Sequence, residues 1–314
     1  MLNKASHWPI GVFLGFCLLC VSGPVAAETF HDRIESGGRE RSFIVVVPES
    51  AKRGERLPTV IALHGALMSG TSMKKIFGMD GLAERDKFAV VYPDGVRRRW
   101  NDGREGAGRP DDVRFIRRLA DHLVRSGLAD PKRLYLVGVS NGGMLTYRVA
   151  CEAPGVFAAY AAVIANMPER VAEDCPARGG GAPMLIINAT DDPVVPWEGG
   201  EISRFRRQGE VLSTPDTVRF WRRYNKCSEK SQMKPLPDKD RTDGSTVLAR
   251  QFGDCQSDAA VVLLTVEGGG HLPPGADIGN RPLLQSILGG PANQDISAAD
   301  VSWKFFKRFP LPPN

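Results

Sequence analysis

Histidine is scarce in this chain, five in 314 residues, and no residue type is in marked excess. The 34 glycines and 23 prolines follow no period, which excludes a collagen-like chain, and 42% hydrophobic residues are too many for a largely disordered polymer. A dense basic stripe is also lacking. The 41 Lys and Arg stand against 36 Asp and Glu, and a formal excess of +5 reads as solubility, with no nucleic-acid partner implied. Long apolar runs are missing too: the stretch from Ile10 to Val21 is too short to span a bilayer comfortably. What remains is an ordinary globular composition, long enough to bury a sizeable core in one α/β domain.

That apolar stretch follows Lys4 and precedes Pro24-Val25-Ala26-Ala27-Glu28, the layout of a secretory signal peptide with cleavage after Ala27. A retained anchor is the alternative. Lipidation at Cys17 or Cys20 is disfavoured, because Phe16 and Leu19 stand where a small residue is expected. The expectation is a signal peptide over 1–27 and a single catalytic domain over 28–314, secreted to the periplasm or medium, with no stable membrane insertion after cleavage. The mature chain then keeps four cysteines, an even number suited to an oxidising compartment. Neighbour pairing of Cys151 with Cys175 and Cys227 with Cys255 closes two short loops without threading. A metal site is disfavoured, since the mature chain has no Cys-x-x-Cys and no histidine cluster.

After residue 40, short β-branched runs alternate with segments of helical period, the pattern of a mainly parallel sheet covered by helices on both faces. The strand candidates are Ser42 to Val47, Thr59 to Leu63, Phe88 to Tyr92, Arg133 to Val137, Ala158 to Ile164, Met184 to Asn188 and Val261 to Val266. Most are apolar throughout, as strands buried on both faces must be. Helices are expected after Asp111-Asp112, from Ser140 to Ala150, and from a cap at Ser297 to the stop at Pro310. Polar, glycine-bearing loops fall at 97–109, 199–209 and 235–245, and the cluster Arg97-Arg98-Arg99 reads as a solvated loop face.

Gly138-Val139-Ser140-Asn141-Gly142 lies between a strand and a helix, where it reads as a nucleophile elbow. The string alone is weak, but its context is specific. A serine needs a base, and among the four mature histidines His271, in Gly268-Gly269-Gly270-His271, follows the last long apolar strand in a loop. His31 lies near the mature N-terminus, His122 sits in an Arg-rich helix, and His64 precedes the serine and props its turn. The acid is Asp191 or Asp192, in a proline-rich turn after the strand Met184 to Asn188, and Asp192, beside Pro193, is preferred. The order Ser140, Asp192, His271 is that of an α/β hydrolase. His64-Gly65-Ala66-Leu67 closes another strand, so the backbone N–H groups of Ala66 and Asn141 are the candidate oxyanion donors. Trp100 and Trp197 are candidate substrate contacts, with ordinary packing as the alternative for each. No metal or organic cofactor is implied.

With these residues in place the chain resembles the secreted poly(3-hydroxybutyrate) depolymerase and feruloyl or acetylxylan esterase family of α/β hydrolases. The likeness runs from Gly37 to His271, through Leu63-His64-Gly65, Tyr92-Pro93-Asp94-Gly95, Arg99-Trp100-Asn101, Asp111-Asp112-Val113, Gly138 to Tyr147 and Asp192-Pro193-Val194-Val195-Pro196. It implies a serine carboxylic-ester hydrolase working through an acyl-enzyme, and it favours Asp192, the residue just before the Pro-x-Val-Pro pattern. The implied substrate is a hydroxyalkanoate oligoester or an acylated plant polysaccharide; a non-catalytic binding protein of the same fold is the alternative of another class. Departures from the family pattern are Leu272-Pro273-Pro274 after the base, where members carry a tryptophan, Ala66 in place of cysteine, and no cysteine pair over 103–109. With no appended substrate-binding domain before the chain ends, tight adsorption to a crystalline polymer is not expected.

Overall fold

A computed structural model describes residues 28–52, 54–104, 109–176, 181–202, 209–279 and 281–312. The proposed signal segment 1–27, and parts of the expected loops 97–109 and 199–209, lie outside them. The elements in order are β1 (Glu28–Ser36), β2 (Arg39–Val47), β3 (Leu57–Leu63), α1 (Gly70–Phe77), α2 (Asp80–Asp86), β4 (Ala89–Pro93), α3 (Asp112–Arg125), β5 (Ala129–Val139), α4 (Asn141–Glu152) and β6 (Ala159–Val163). They continue with α5 (Glu169–Asp174), β7 (Met184–Ala189), β8 (Gly200–Glu201), β9 (Glu210–Val211), α6 (Thr214–Tyr224), β10 (Ser231–Pro235), β11 (Thr246–Phe252), β12 (Val261–Glu267), α7 (Pro282–Ile287) and α8 (Ala298–Phe306).

Ten strands form one sheet in the order β1-β2-β4-β3-β5-β6-β7-β12-β11-β10. The six from β4 to β12 run parallel, and two antiparallel strands close each edge. The sheet's period of two separates the core into two layers. From β3 and β5, Ile61, Leu63, Leu134 and Leu136 face the layer made with α3, α4 and α6. Their neighbours Val60, Ala62, Tyr135 and Val137 face the layer made with α1 and α8. The sheet is thus an α/β-hydrolase sheet with helices on both faces.

Each apolar run read from the sequence is a strand here. The edge strands β1, β10 and β11 are additional, and their composition explains why hydrophobicity does not mark them: β10 is exposed at all five positions. A different signal marks β1. Gly37 and Gly38, both at positive φ (62° and 70°), join it to β2 as a two-residue hairpin, and two glycines between runs of nine residues are the sequence form of that turn. Helix starts follow side-chain caps: Asp111 accepts from Arg114 N–H (2.9 Å), Ser213 from Asp216 N–H (3.1 Å) and Ser297 from Asp300 N–H (3.3 Å). Disulfides join Cys151 to Cys175 and Cys227 to Cys255.

Candidate active site

Ser140 stands at the end of β5 with φ 53° and ψ −118°, a conformation that a residue with a side chain adopts only under constraint. The flanking glycines are the constraint. A Cβ on Gly138 would lie 2.1 Å from the Gly142 carbonyl oxygen, and one on Gly142 would lie 2.6 Å from that of Leu63. The turn closes only without them. It also begins α4, so the Asn141 N–H, in the first turn, has no acceptor within its own helix.

The acid loop leaves the end of β7. Its Asp192 is buried and oriented by its own backbone, one carboxylate oxygen accepting the N–H groups of Val194 and Val195 (2.8 Å each). The other oxygen lies 2.6 Å from His271 Nδ1, and His271 Nε2 lies 3.0 Å from Ser140 Oγ. Asp191, by contrast, is exposed and its carboxylate accepts from the Thr190 hydroxyl. Further hydrogen bonds anchor this loop: Asn188 Nδ2 donates to Asn166 Oδ1 (2.8 Å), and Asn166 Nδ2 donates to the Pro196 carbonyl (2.9 Å). His271 is placed from behind, its N–H donating to the Leu288 carbonyl at the end of α7 (2.5 Å). That approach requires Gly270, where a Cβ would stand 2.2 Å from the same carbonyl.

A second network holds Asn141, and the motif reading does not reveal it. The Asn141 amide accepts from Trp100 N–H (2.8 Å) and donates to Asp102 Oδ2 (2.6 Å), which Arg104 Nη2 also reaches at 2.7 Å. Behind it, Arg41 Nη2 meets Asp112 at 2.7 Å, and the other Asp112 oxygen accepts Asn101 N–H (2.7 Å). Both partners are buried, and the Arg41 guanidinium lies 3.9 Å above the Phe115 ring. Burial pushes the Asp112 carboxyl above the usual range, opposed by the Arg41 charge and the Asn101 N–H. The sequence signal is the adjacency of Arg99-Trp100-Asn101-Asp102 and Asp111-Asp112, but nothing local ties it to Arg41, 71 residues from Asp112.

Trp100 takes the packing alternative: it is 3% exposed, its ring tilts against His64, and its Nε1 donates to the His64 carbonyl (2.8 Å), so it serves as a strut and does not line the cavity at Ser140. Trp197 is half-buried against the α6 side of the core and does not line the cavity at Ser140. His64 is fully buried. Its Nδ1 lies 2.7 Å from the Gly65 carbonyl and its Nε2 accepts Gly95 N–H at 2.9 Å, a pattern that fits only the neutral ring protonated on Nδ1. Burial accordingly pushes the His64 pKa below its ordinary value. Of the arginine cluster, Arg97 and Arg98 are exposed and Arg99 is half-buried.

Ser140 and His271 open onto a cavity of about 430 Å³, whose walls come from the 65–68 turn with Ala66, from α1, and from α7 with the segment before it. Among the described residues no group of three or more His, Cys, Asp or Glu side chains could hold a metal ion. Nor is any described helix long and apolar enough to cross a membrane.

A doubly covered parallel sheet with a serine on its sharp turn and a histidine and aspartate hydrogen-bonded behind it has the architecture of an α/β hydrolase. The family model described as esterase PHB depolymerase matches residues 41–169. The protein NocK of Nocardia uniformis subsp. tsuyamanensis is 30% identical over 296 residues, covering 90% of this chain and 84% of that one. The chain belongs to the esterase PHB depolymerase family and is a carboxylic ester hydrolase. Feruloyl esterase B of Piromyces equi is 25% identical over 281 residues, which make up 87% of this chain but only 46% of that enzyme. Among solved structures, the acetyl xylan esterase from Aspergillus awamori shares the fold with a TM-score of 0.59 at 15% identity, covering 88% of this chain and 99% of that one.

Proposed function

We propose that the protein is a secreted serine esterase, similar to polyhydroxybutyrate depolymerases, whose triad is Ser140, His271 and Asp192. His271 Nε2 takes the Ser140 proton as Oγ attacks the ester carbonyl, and Asp192 steadies the imidazolium that forms. The N–H groups of Ala66 and Asn141 receive the developing oxyanion. Collapse expels the alcohol with the proton returned by His271, and water, activated by the same histidine, releases the acid from the acyl-enzyme. The observation that carries this reading is the unbroken line of contacts from Asp192 to His271 (2.6 Å) to Ser140 (3.0 Å).

Residues 1–27 act in this proposal as a secretory signal and 28–314 as the mature domain, and the two disulfides suit an oxidising destination. Sequencing the N-terminus of the exported protein tests the cleavage, with Glu28 expected first. A second reading, a feruloyl or acetylxylan esterase acting on plant polysaccharide, draws on the similarity to the Piromyces enzyme. The deciding experiment compares the purified protein with Ser140→Ala on p-nitrophenyl acetate and butyrate, methyl ferulate, acetylated xylan and a hydroxybutyrate oligomer. Hydrolysis lost in Ser140→Ala while the fold persists supports the esterase, and the preferred ester selects between the readings. Equal inactivity of both proteins on every ester would instead favour a binding protein with a hydrolase fold.

A further inference from the structure

Seventeen described residues line the cavity at Ser140, and among them only Ser140 and His271 carry hydrogen-bonding side chains. The rest is glycine and hydrocarbon or thioether: Met73, Ile76 and Phe77 from α1 face Leu284 and Leu288 from α7 and its end. At about 430 Å³ the space is that of a small-molecule site. A phenolic hydroxyl, a methoxyl or a sugar hydroxyl placed there would find no side-chain partner and would lose its water, a net cost. A methylene chain loses nothing and gains burial.

Leu67, from the turn that walls the cavity, is 63% exposed, so the apolar lining reaches the surface there. The polar network that holds Asn141 lies outside this lining: Asp102 and Arg104 are not among its residues.

We infer that this cavity selects esters by an extended aliphatic chain, rather than by an aromatic acid, an acetyl group or a sugar. The inference rests on Ser140 being the nucleophile, as proposed above. The chain belongs to either the acyl or the alcohol part of the ester, and two substrate series separate these sources. One is p-nitrophenyl esters from acetate to dodecanoate; the other is alkyl acetates from ethyl to decyl.

Each buried methylene raises kcat/KM by about fourfold at most, so a rise of at least about 100-fold from acetate to octanoate, or from ethyl to octyl acetate, is expected in one series. Ile76→Trp, which fills the cavity from α1, should lower the octanoate-to-acetate ratio at least about tenfold. Where that variant does not fold, competitive inhibition of the unaltered protein by methyl-, butyl- and octylboronic acids gives the same reading, with octyl the tightest. Ser140-dependent hydrolysis that stays flat or falls with chain length in both series overturns the inference and leaves the triad standing. Loss of all Ser140-dependent hydrolysis overturns both.

Discussion

On one side of Ser140 the loop from Trp100 to Arg104 is tied into place by hydrogen bonds, whereas on the other side the 65–68 turn, α1 and α7 meet the site with hydrocarbon. The polar side ends on the backbone whose N–H would receive an oxyanion, and there a displacement of tenths of an ångström changes the rate. Hydrogen bonds are directional, so they suit that task. Dispersion contacts lack direction, and a wall built from them rewards each buried methylene without imposing a single pose. On the proposed reading, the same cluster of elements would hold one part of a substrate rigidly and another loosely.

The strongest way to break the comparison is at the proposed triad. Asp192→Asn should lower kcat by about 10⁴-fold with the fold intact, because the histidine loses the partner that sets its tautomer. Asp191→Asn, altering an exposed neighbour, should change kcat by no more than a few fold. Steady-state kinetics on one ester with both variants checks this, and the reverse order would remove Asp192 from the triad.

Next in size is the buried ion pair beneath the polar loop. Arg41→Ala leaves the Asp112 carboxylate without its charge partner and should cost about 3–5 kcal/mol of stability in urea unfolding. The double replacement Arg41→Met with Asp112→Leu should recover much of that loss, since two apolar side chains need no partner. If the double variant is as unstable as the single, the pair's role lies in its links to the Asp94 carbonyl and Asn101 N–H rather than in the mutual charge.

A smaller effect is expected at Asp102. Asp102→Ala removes the acceptor of Asn141 Nδ2 and of Arg104, a loss of about 1–3 kcal/mol for groups left unsatisfied. If the network positions the oxyanion site, kcat falls about 10- to 100-fold while KM moves little. A matching fall in thermal midpoint with unchanged kcat would make it a structural tie only.

The smallest effect concerns pH. The folded pKa of His64 lies below its ordinary value of about 6.5, so between those two values the unfolded chain binds more protons than the folded one. Stability is therefore complete above about pH 6.5 and falls as the pH drops through that window towards the folded pKa. Urea midpoints between pH 5 and 7.5 should show this slope, and His64→Asn should flatten it.

Much of this architecture is written in short-range chemistry. The apolar runs give the parallel strands, the glycines around Ser140 give the elbow, and Ser297 starts α8. Such features act between neighbours in the chain, so periodicity, caps and turn residues reveal them. Polar edge strands escape that reading because solvent, rather than a buried face, selects their residues: β10 carries no apolar alternation to find.

The sequence by itself therefore determined the parallel strands, the sharp turn under Ser140 and the chain order of serine, aspartate and histidine. Tertiary structure alone decided how Asp192 is buried and held by the Val194 and Val195 N–H groups, that Trp100 is a strut, and that Arg41 finds Asp112 across 71 residues. The division has a physical cause. Burial and pairing depend on what the folded chain brings from elsewhere: Pro193 marks Asp192 over Asp191 in the sequence, but its partner His271 reaches it only when β7, β12 and the His271 loop close together.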